Sequence, residues 1–360
     1  MIQFIPLGGF LGAGKTTTML AAARLLEDRG ERVSLITNDQ GADLVDTKLA
    51  RASGIGATDE VTGGCFCCRF EDLATVVTRL VEQVNPTTVI AEAVGSCTDL
   101  QSTVVRPLRR LHGDLLNAAA LTVTVDPVRH AALTALTRQT GTESDLAYLY
   151  RHQLDEADII AVNKTDLLTQ ATAQSLVADL TERFPHARVA TYSALTGAGL
   201  GELVDLWRSV PPSGHNAFPI DYDRYADAEA ELAWTNQTFT VTGSGFSPVA
   251  WTSTLLERLS ADIAAAQATI GHIKIWVTAA GAATKASLTH AGAAPTFDQR
   301  HVGPAGEAHV TFNARVQLPP DRLGDLIGAA ITAADSACGT RSSQPIGDIF
   351  QPAYPTPVHR

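Results

Sequence analysis

The chain has no apolar run long enough to span a bilayer, no dense basic run, no internal repeat and no low-complexity tract. The first absence argues against a membrane-spanning helix, which needs about twenty consecutive apolar residues. The second removes the means of gripping a polyanion by counterion release. Lys plus Arg number 27 against 38 Asp plus Glu, a formal net charge of −11, so nucleic acid is not an expected partner. Cysteine is also scarce: there are five, and three of them crowd into positions 65–68, unlike the evenly spread framework of a disulfide-stapled secreted domain. The opening residues Met1 to Phe10 have neither a basic leader nor a small-residue cleavage site and run straight into functional sequence. A reducing, cytoplasmic setting is therefore expected.

What is present reads as a globular protein, with 45% hydrophobic and 18% charged residues. A length of 360 residues exceeds one ordinary core and predicts two or three units. Residues 2–7 read as an apolar strand and 16–29 as a helix closed by Gly30. Further strands are predicted at 33–37, 87–91, 121–125, 158–162 and 189–192, mostly with helical segments between them. That alternation predicts an α/β fold, a mostly parallel sheet with helices on both faces and ligands at the carboxyl ends of its strands.

A helix at 200–210 stops at Pro211-Pro212, which sets a first domain at 1–212 and a linker at 213–235. Alternating segments at 238–242, 273–277, 285–289 and 309–316, with helices at 248–265 and 320–334, predict a small C-terminal α+β domain over 236–335. Trp234, Trp251 and Trp276 are expected to fill its core, and His272 to be a core histidine. Residues 336–360, rich in proline, read as an extended tail.

Gly9-Phe-Leu-Gly12-Ala13-Gly14-Lys15-Thr16 matches the phosphate-binding loop and lies between a predicted strand and a predicted helix. The glycines let backbone N–H groups turn toward phosphates, and the helix N-terminus adds partial positive charge. Lys15 is expected to pair with the β- and γ-phosphates and the Thr16 hydroxyl to ligate Mg²⁺. Asn163-Lys164-Thr165-Asp166 follows the strand at 158–162, and a carboxylate there can accept from guanine N1–H and the 2-amino group. GTP is thus the expected nucleotide, with Ser193-Ala194-Leu195 as the loop that closes over the base. Glu92 and Asp39, each just beyond a strand, are the candidate acids for holding Mg²⁺ through water or orienting the attacking water.

Cys65-Phe66-Cys67-Cys68 is the second chemical feature. Thiolates bind soft or borderline metals, so Zn²⁺ is the first expectation, with Co²⁺ or Fe²⁺ as alternatives. In an extended segment Cys68 faces away from Cys65 and Cys67, so convergence needs a backbone turn, which Gly63-Gly64 makes easy. Three thiolates leave a tetrahedral ion one ligand short, as suits a site that transfers its metal. Cys97 reads as a small buried cysteine and Cys338 as incidental.

Taken in order, the P-loop from Gly8 to Thr17, Asn38-Asp39, Gly64-Cys65-x-Cys67-Cys68, Glu92-x-x-Gly95 and Asn163-x-x-Asp166 resemble the CobW-type metallochaperone GTPases, relatives of the GTPases that mature urease and nickel hydrogenase. The resemblance implies GTP hydrolysis, metal at Cys65, Cys67 and Cys68, and delivery to a client metalloprotein or a cobalamin-pathway protein, and it leaves room for a homodimer. Glu60 stands where such proteins commonly carry an acid. Two features depart from the pattern: Asp39 replaces the usual Glu, shortening a possible ligand by one methylene, and the ten histidines are scattered rather than gathered in a metal-storing tract. Two other readings remain at this stage. One is a P-loop kinase or ligase with structural zinc, against which the guanine-type loop argues, and the other is a redox-regulated GTPase switch.

Overall fold

Residues Ile2–Gly9 are buried at every position but Gln3, the pattern of a strand covered on both faces. They form β1, the middle of a parallel sheet. A computed structural model describes residues 1–39, 45–212 and 219–359 and resolves two units. One comprises Met1–Gln40, Ala50–Ala228 and Tyr354–Arg360, the other Gly41–Leu49 and Glu229–Ala353.

In the first unit β1 is followed by β2 (Val33–Asn38), β3 (Ala57–Val61), β4 (Thr88–Glu92), β5 (Leu116–Ala118), β6 (Thr122–Val125), β7 (Ile159–Val162) and β8 (Arg188–Thr191). Their order across the sheet is β3-β2-β4-β1-β6-β7-β8, with β5 paired to the start of β1, and all pairs are parallel. The intervening helices are α1 (Lys15–Asp28), α2 (Val45–Ala52), α3 (Phe70–Val84), α4 (Arg106–His112), α5 (Pro127–Thr140), α6 (Asp145–Asp155), α7 (Gln170–Arg183) and α8 (Leu200–Ser209). Because β3, β2, β4 and β1 are consecutive neighbours, the loops leaving their carboxyl ends lie in one row. That row holds the cysteine motif, Asn38-Asp39, the Glu92 loop and the P-loop.

Two strands of the first unit have no counterpart among the expected ones. β3, Ala-Thr-Asp-Glu-Val, is a half-exposed edge strand with one buried residue, so it shows no apolar run. β5 has three residues, too few for a period. The expected linker at 213–235 is corrected in part. Residues 213–218 lie outside the described residues, but Tyr222–Ala230 forms a helix, α9, with Tyr225 and Ala228 buried, and the first unit extends to Ala228.

The second unit is an antiparallel sheet of β9 (Ala233–Phe246), β10 (Ile270–Ala279), β11 (Ala282–Leu288), β12 (Thr296–Gln299), β13 (Ala305–Val316), β14 (Thr340–Ser342) and β15 (Ile349–Phe350). Helices α10 (Pro248–Ala265) and α11 (Pro320–Cys338) supply Leu255, Leu259, Leu323 and Ile327 to its core. Side chains alternate across a strand, so Ile273, Ile275 and Val277 join that core with Trp251, whereas Trp234 and Trp276 fall on the opposite register. The three tryptophans are all buried, yet only Trp251 belongs to the helix-covered core. Arg315 stacks over Trp234 at 4.0 Å. On the register of Arg315, Asn313 Oδ1 accepts from Val45 N–H at 2.8 Å and Thr311 Oγ1 from Lys48 at 2.5 Å, and Lys274 pairs with Asp46. His272 is buried opposite Arg315. The expected tail at 336–360 also differs, since β14 and β15 within it pair with β9.

Among the described residues, no helix is long and apolar enough to cross a membrane.

Candidate nucleotide and metal site

The P-loop turns because three of its residues lack a β-carbon. Gly9, Gly12 and Gly14 hold φ of 127°, 77° and 95°, conformations that other residues adopt only with strain. Close approach adds a second reason at two of them. A Cβ on Gly9 would lie 2.4 Å from Thr124 O, and one on Gly14 2.4 Å from Asn163 Nδ2. Helix α1 starts immediately afterwards, so its first N–H groups and positive dipole end border the loop.

Lys15 is buried and donates to the carbonyls of Gly9 at 2.7 Å and Phe10 at 3.2 Å. Thr16 donates its hydroxyl to Glu92 Oε1 at 2.9 Å, which is possible because Glu92 pairs in register with Leu7 at the end of β1. Thr17 is half-buried. This cradle fits a nucleotide phosphate chain with its cation: donors and a buried ammonium face the loop, and a hydroxyl and carboxylate lie at its edge.

Asn163, after β7, ties the P-loop to the loop that follows β8. Its amide donates to Ala13 O at 3.0 Å and its Oδ1 accepts from Ala194 N–H at 2.9 Å. Lys164, at φ 59°, donates to Gly12 O at 2.9 Å and to Asp126 Oδ2 at 2.6 Å. Ser193 donates to Asp166 Oδ1 at 2.5 Å, leaving an exposed carboxylate edge with free acceptor capacity, and Leu195 is 79% exposed. The sequence reading missed Asp126. Its other oxygen caps α5 by accepting from Val128 and Arg129 N–H at 2.8 and 3.2 Å, and the signal was an Asp before Pro127 at a helix start.

The cysteines converge through a turn. Gly63 and Gly64 adopt φ of 77° and 155°, and Cys65 O then accepts from Cys68 and Arg69 N–H at 3.0 and 2.9 Å, leading into α3. The Sγ atoms of Cys65, Cys67 and Cys68 all lie within 4.8 Å of one another, with Cys65 to Cys67 at 2.8 Å and Cys65 to Cys68 at 3.5 Å. Asn38 fixes this loop to the sheet. Its amide donates to Val61 O and Gly64 O at 2.9 and 2.8 Å, and its Oδ1 accepts from Phe66 N–H at 3.0 Å.

Crowding of the sulfurs pushes the Cys67 thiol well above the ordinary range, chiefly through its hydrogen bond with Cys65, then those with Cys68 and Cys97, with burial adding to it. Cys68 is also raised, first by Cys65, while the Thr356 N–H opposes the shift. A divalent cation reverses this balance, because a coordinated thiol loses its proton outright. Glu60 is not in the cluster and stands 3.9 Å from Arg51. Asp39 sits at the end of β2, where its N–H donates to Val61 O at 3.2 Å.

Two contacts were not visible as motifs. Cys97 Sγ lies 3.7 Å from Cys67 Sγ, so it is not the isolated packing cysteine expected. Residues 356–359 also meet the cysteine loop. Thr356 N–H donates to Cys68 Sγ at 3.3 Å, Val358 N–H donates to Cys67 O at 2.9 Å, and His359 packs edge-on against Phe70 at 4.6 Å. In Pro355-Thr356-Pro357-Val358 only the two residues that make these bonds have an N–H to give.

The loop after β4 connects the two chemistries. Gly95 has no room for a side chain, since a Cβ would lie 2.7 Å from Leu11 Cδ2. Gln153 donates to Gly95 O and Cys97 O at 3.0 and 2.9 Å, and Glu156 accepts from Thr98 Oγ1 and Gln101 N–H, both at 3.0 Å. Burial pushes the Glu156 carboxyl up to about 8.

Known proteins resemble about half of the chain. It is 30% identical to the zinc chaperone CobW of Sinorhizobium sp over 226 residues, 55% of this chain and 63% of that protein. It is 31% identical to the zinc chaperone YeiR of Escherichia coli (strain K12) over 173 residues, 47% of this chain and 48% of that protein. The chain thus spans less than two thirds of the length of these relatives. A crystal structure of HypB from Helicobacter pylori in complex with nickel matches 59% of this chain and 91% of its own, with 17% identity and a TM-score of 0.43. Residues 3–191 of 360 match the family described as the CobW/HypB/UreG nucleotide-binding domain, and the chain belongs to that family.

Proposed function

We propose that the chain is a GTP-hydrolysing metallochaperone that carries zinc at Cys65, Cys67 and Cys68 and delivers it to a client metalloprotein. The observation that carries this reading is the convergence of three thiol sulfurs within 4.8 Å on a loop that Asn38 ties to the strand next to β4. Thiolate donors favour zinc over magnesium or calcium. The naming of two relatives as zinc chaperones supports zinc over cobalt or iron.

In this reading Lys15 and the N–H groups from Gly9 to Thr17 bind the phosphates, and Thr16 would hold Mg²⁺, whose chemistry there would be charge neutralisation at the phosphates. Glu92 and Asp39 hold the cation through water or orient the attacking water. Asp166 selects guanine, with Asn163 and Lys164 bracing the loop and Ser193, Ala194 and Leu195 closing over the base. GTP and zinc binding are coupled through the row of loops, so each tightens the other by the same factor.

The test is the metal content and GTPase rate of the purified protein beside Cys67→Ser, with metal-free candidate metalloenzymes added. The reading predicts roughly stoichiometric zinc in the parent, its loss in the variant, and client activation that requires GTP. Equal zinc affinity in the GTP and GDP forms would remove the coupling, and absence of zinc from the parent would remove the function.

A further inference from the structure

Cys97 has no part in the three-thiol reading, yet its surroundings place it with care. Its N–H donates to Val94 O at 3.0 Å, Gln153 holds its carbonyl at 2.9 Å, and Glu156 anchors Thr98 beside it. The result sets Cys97 Sγ 3.7 Å from Cys67 Sγ, while Cys68 Sγ lies 3.8 Å from the same atom. Two thiolates on one tetrahedral zinc, each about 2.3 Å from the ion, stand about 3.8 Å apart. Cys67 is therefore flanked on two sides by sulfurs at ligand spacing.

Three thiolates leave such an ion one donor short, and Cys97 is a buried sulfur next to that shortfall. We propose that Cys97 is the fourth thiolate of the metal site, so that the loaded protein holds zinc in a closed four-sulfur shell. The inference rests on the reading of Cys65, Cys67 and Cys68 as ligands. Cys97 stands outside the group whose sulfurs are all within 4.8 Å of one another, so it meets the site from the Cys67 side and closes on the ion as Cys65, 2.8 Å from Cys67, opens to ligand spacing. The assignment also links cargo to nucleotide. The loop bearing Cys97 begins at Glu92, which accepts from Thr16 of the P-loop, so a shift of this loop on hydrolysis withdraws one ligand and opens the site for transfer.

Co²⁺ is the probe, added to the reduced full chain under anaerobic conditions. Its sulfur-to-metal charge-transfer band grows with the number of thiolates, and its ligand-field bands report tetrahedral geometry. Cys97→Ser should lower the charge-transfer intensity per bound ion by about one quarter, as four thiolates become three, and weaken affinity by about tenfold or more. Unchanged intensity and affinity in Cys97→Ser, with binding lost in Cys67→Ser, would overturn the assignment of Cys97 alone. Failure of the parent to bind Co²⁺ or Zn²⁺ would overturn the three-thiol reading with it. If Cys97→Ser does not fold, X-ray absorption of the zinc-loaded parent decides, with four sulfur neighbours supporting the assignment and three overturning it.

Discussion

The phosphate loop and the cysteine loop leave neighbouring regions of one parallel sheet but are assembled differently. From Gly9 to Thr16 the backbone itself provides most of the binding groups, shaped by glycines and by the first turn of α1. The cysteine loop brings three sulfurs together locally, then depends on residues far along the chain. Asn38 ties it to β2, Cys97 approaches from beyond β4, and Thr356 donates to Cys68 from near the last described residue. A backbone cradle can be encoded contiguously, whereas a metal shell gathers side chains from whichever loops the sheet order makes adjacent.

Four variants test that contrast, beginning with the largest effect. Lys15→Ala should reduce GTP hydrolysis by about a hundredfold or more while leaving zinc stoichiometry and thermal stability near those of the parent. Phosphate release and metal analysis together check it, and a parallel loss of zinc would mean the two regions are not separable. Asn38→Ala should act on the other region. It removes three hydrogen bonds, two to the cysteine loop and one to Val61 at the end of β3, and should cost about 2–4 kcal/mol by denaturant unfolding, with weaker zinc binding.

Glu156→Gln probes the loop between the regions through pH. The folded carboxyl is raised from an ordinary 4.5 to about 8, so the stability held by its neutral form is fully present below pH 4.5 and is lost as pH rises through 8. The parent should therefore lose stability over that window with a slope of up to about 1.4 kcal/mol per pH unit. Glu156→Gln should flatten this component, as measured by urea unfolding at several pH values. Thr356→Pro should have the smallest effect. It deletes the N–H given to Cys68 Sγ, which opposes the raising of that thiol, so Cys68 should ionise less and its alkylation at neutral pH in the metal-free protein should slow a few-fold, with GTP hydrolysis unaltered. An unchanged rate would show that the Thr356 N–H does not stabilise the Cys68 thiolate.

The legible parts of the fold were those with strong local pattern. Strands β1, β2, β4, β6 and β7 are buried throughout or nearly so, and their apolar runs mark them. Strand β3 is half-exposed and polar, so its identity depends on its pairing with β2, which no local pattern announces. Helix α9 reads as linker in the sequence because Tyr222–Ala230 is rich in Asp, Glu and Ala with few large apolar residues. The size of Trp234 and Trp276 points to the core, while strand alternation puts them on the register away from the helices.

The motifs for phosphate, guanine and metal were determined by the sequence alone, because each needs a fixed residue type at a fixed local spacing. So were the α/β character of the first unit and the acidic balance that disfavours polyanions. Tertiary structure decided which motifs share a site. Pairing of β3 with β2 and of β2 with β4 sets the cysteine loop, Asn38 and the Glu92 loop side by side, because parallel strands send their carboxyl-end loops to one edge. Cys97 is a partner of Cys67 only through that adjacency, since contact between distant residues follows from strand order and not from spacing along the chain.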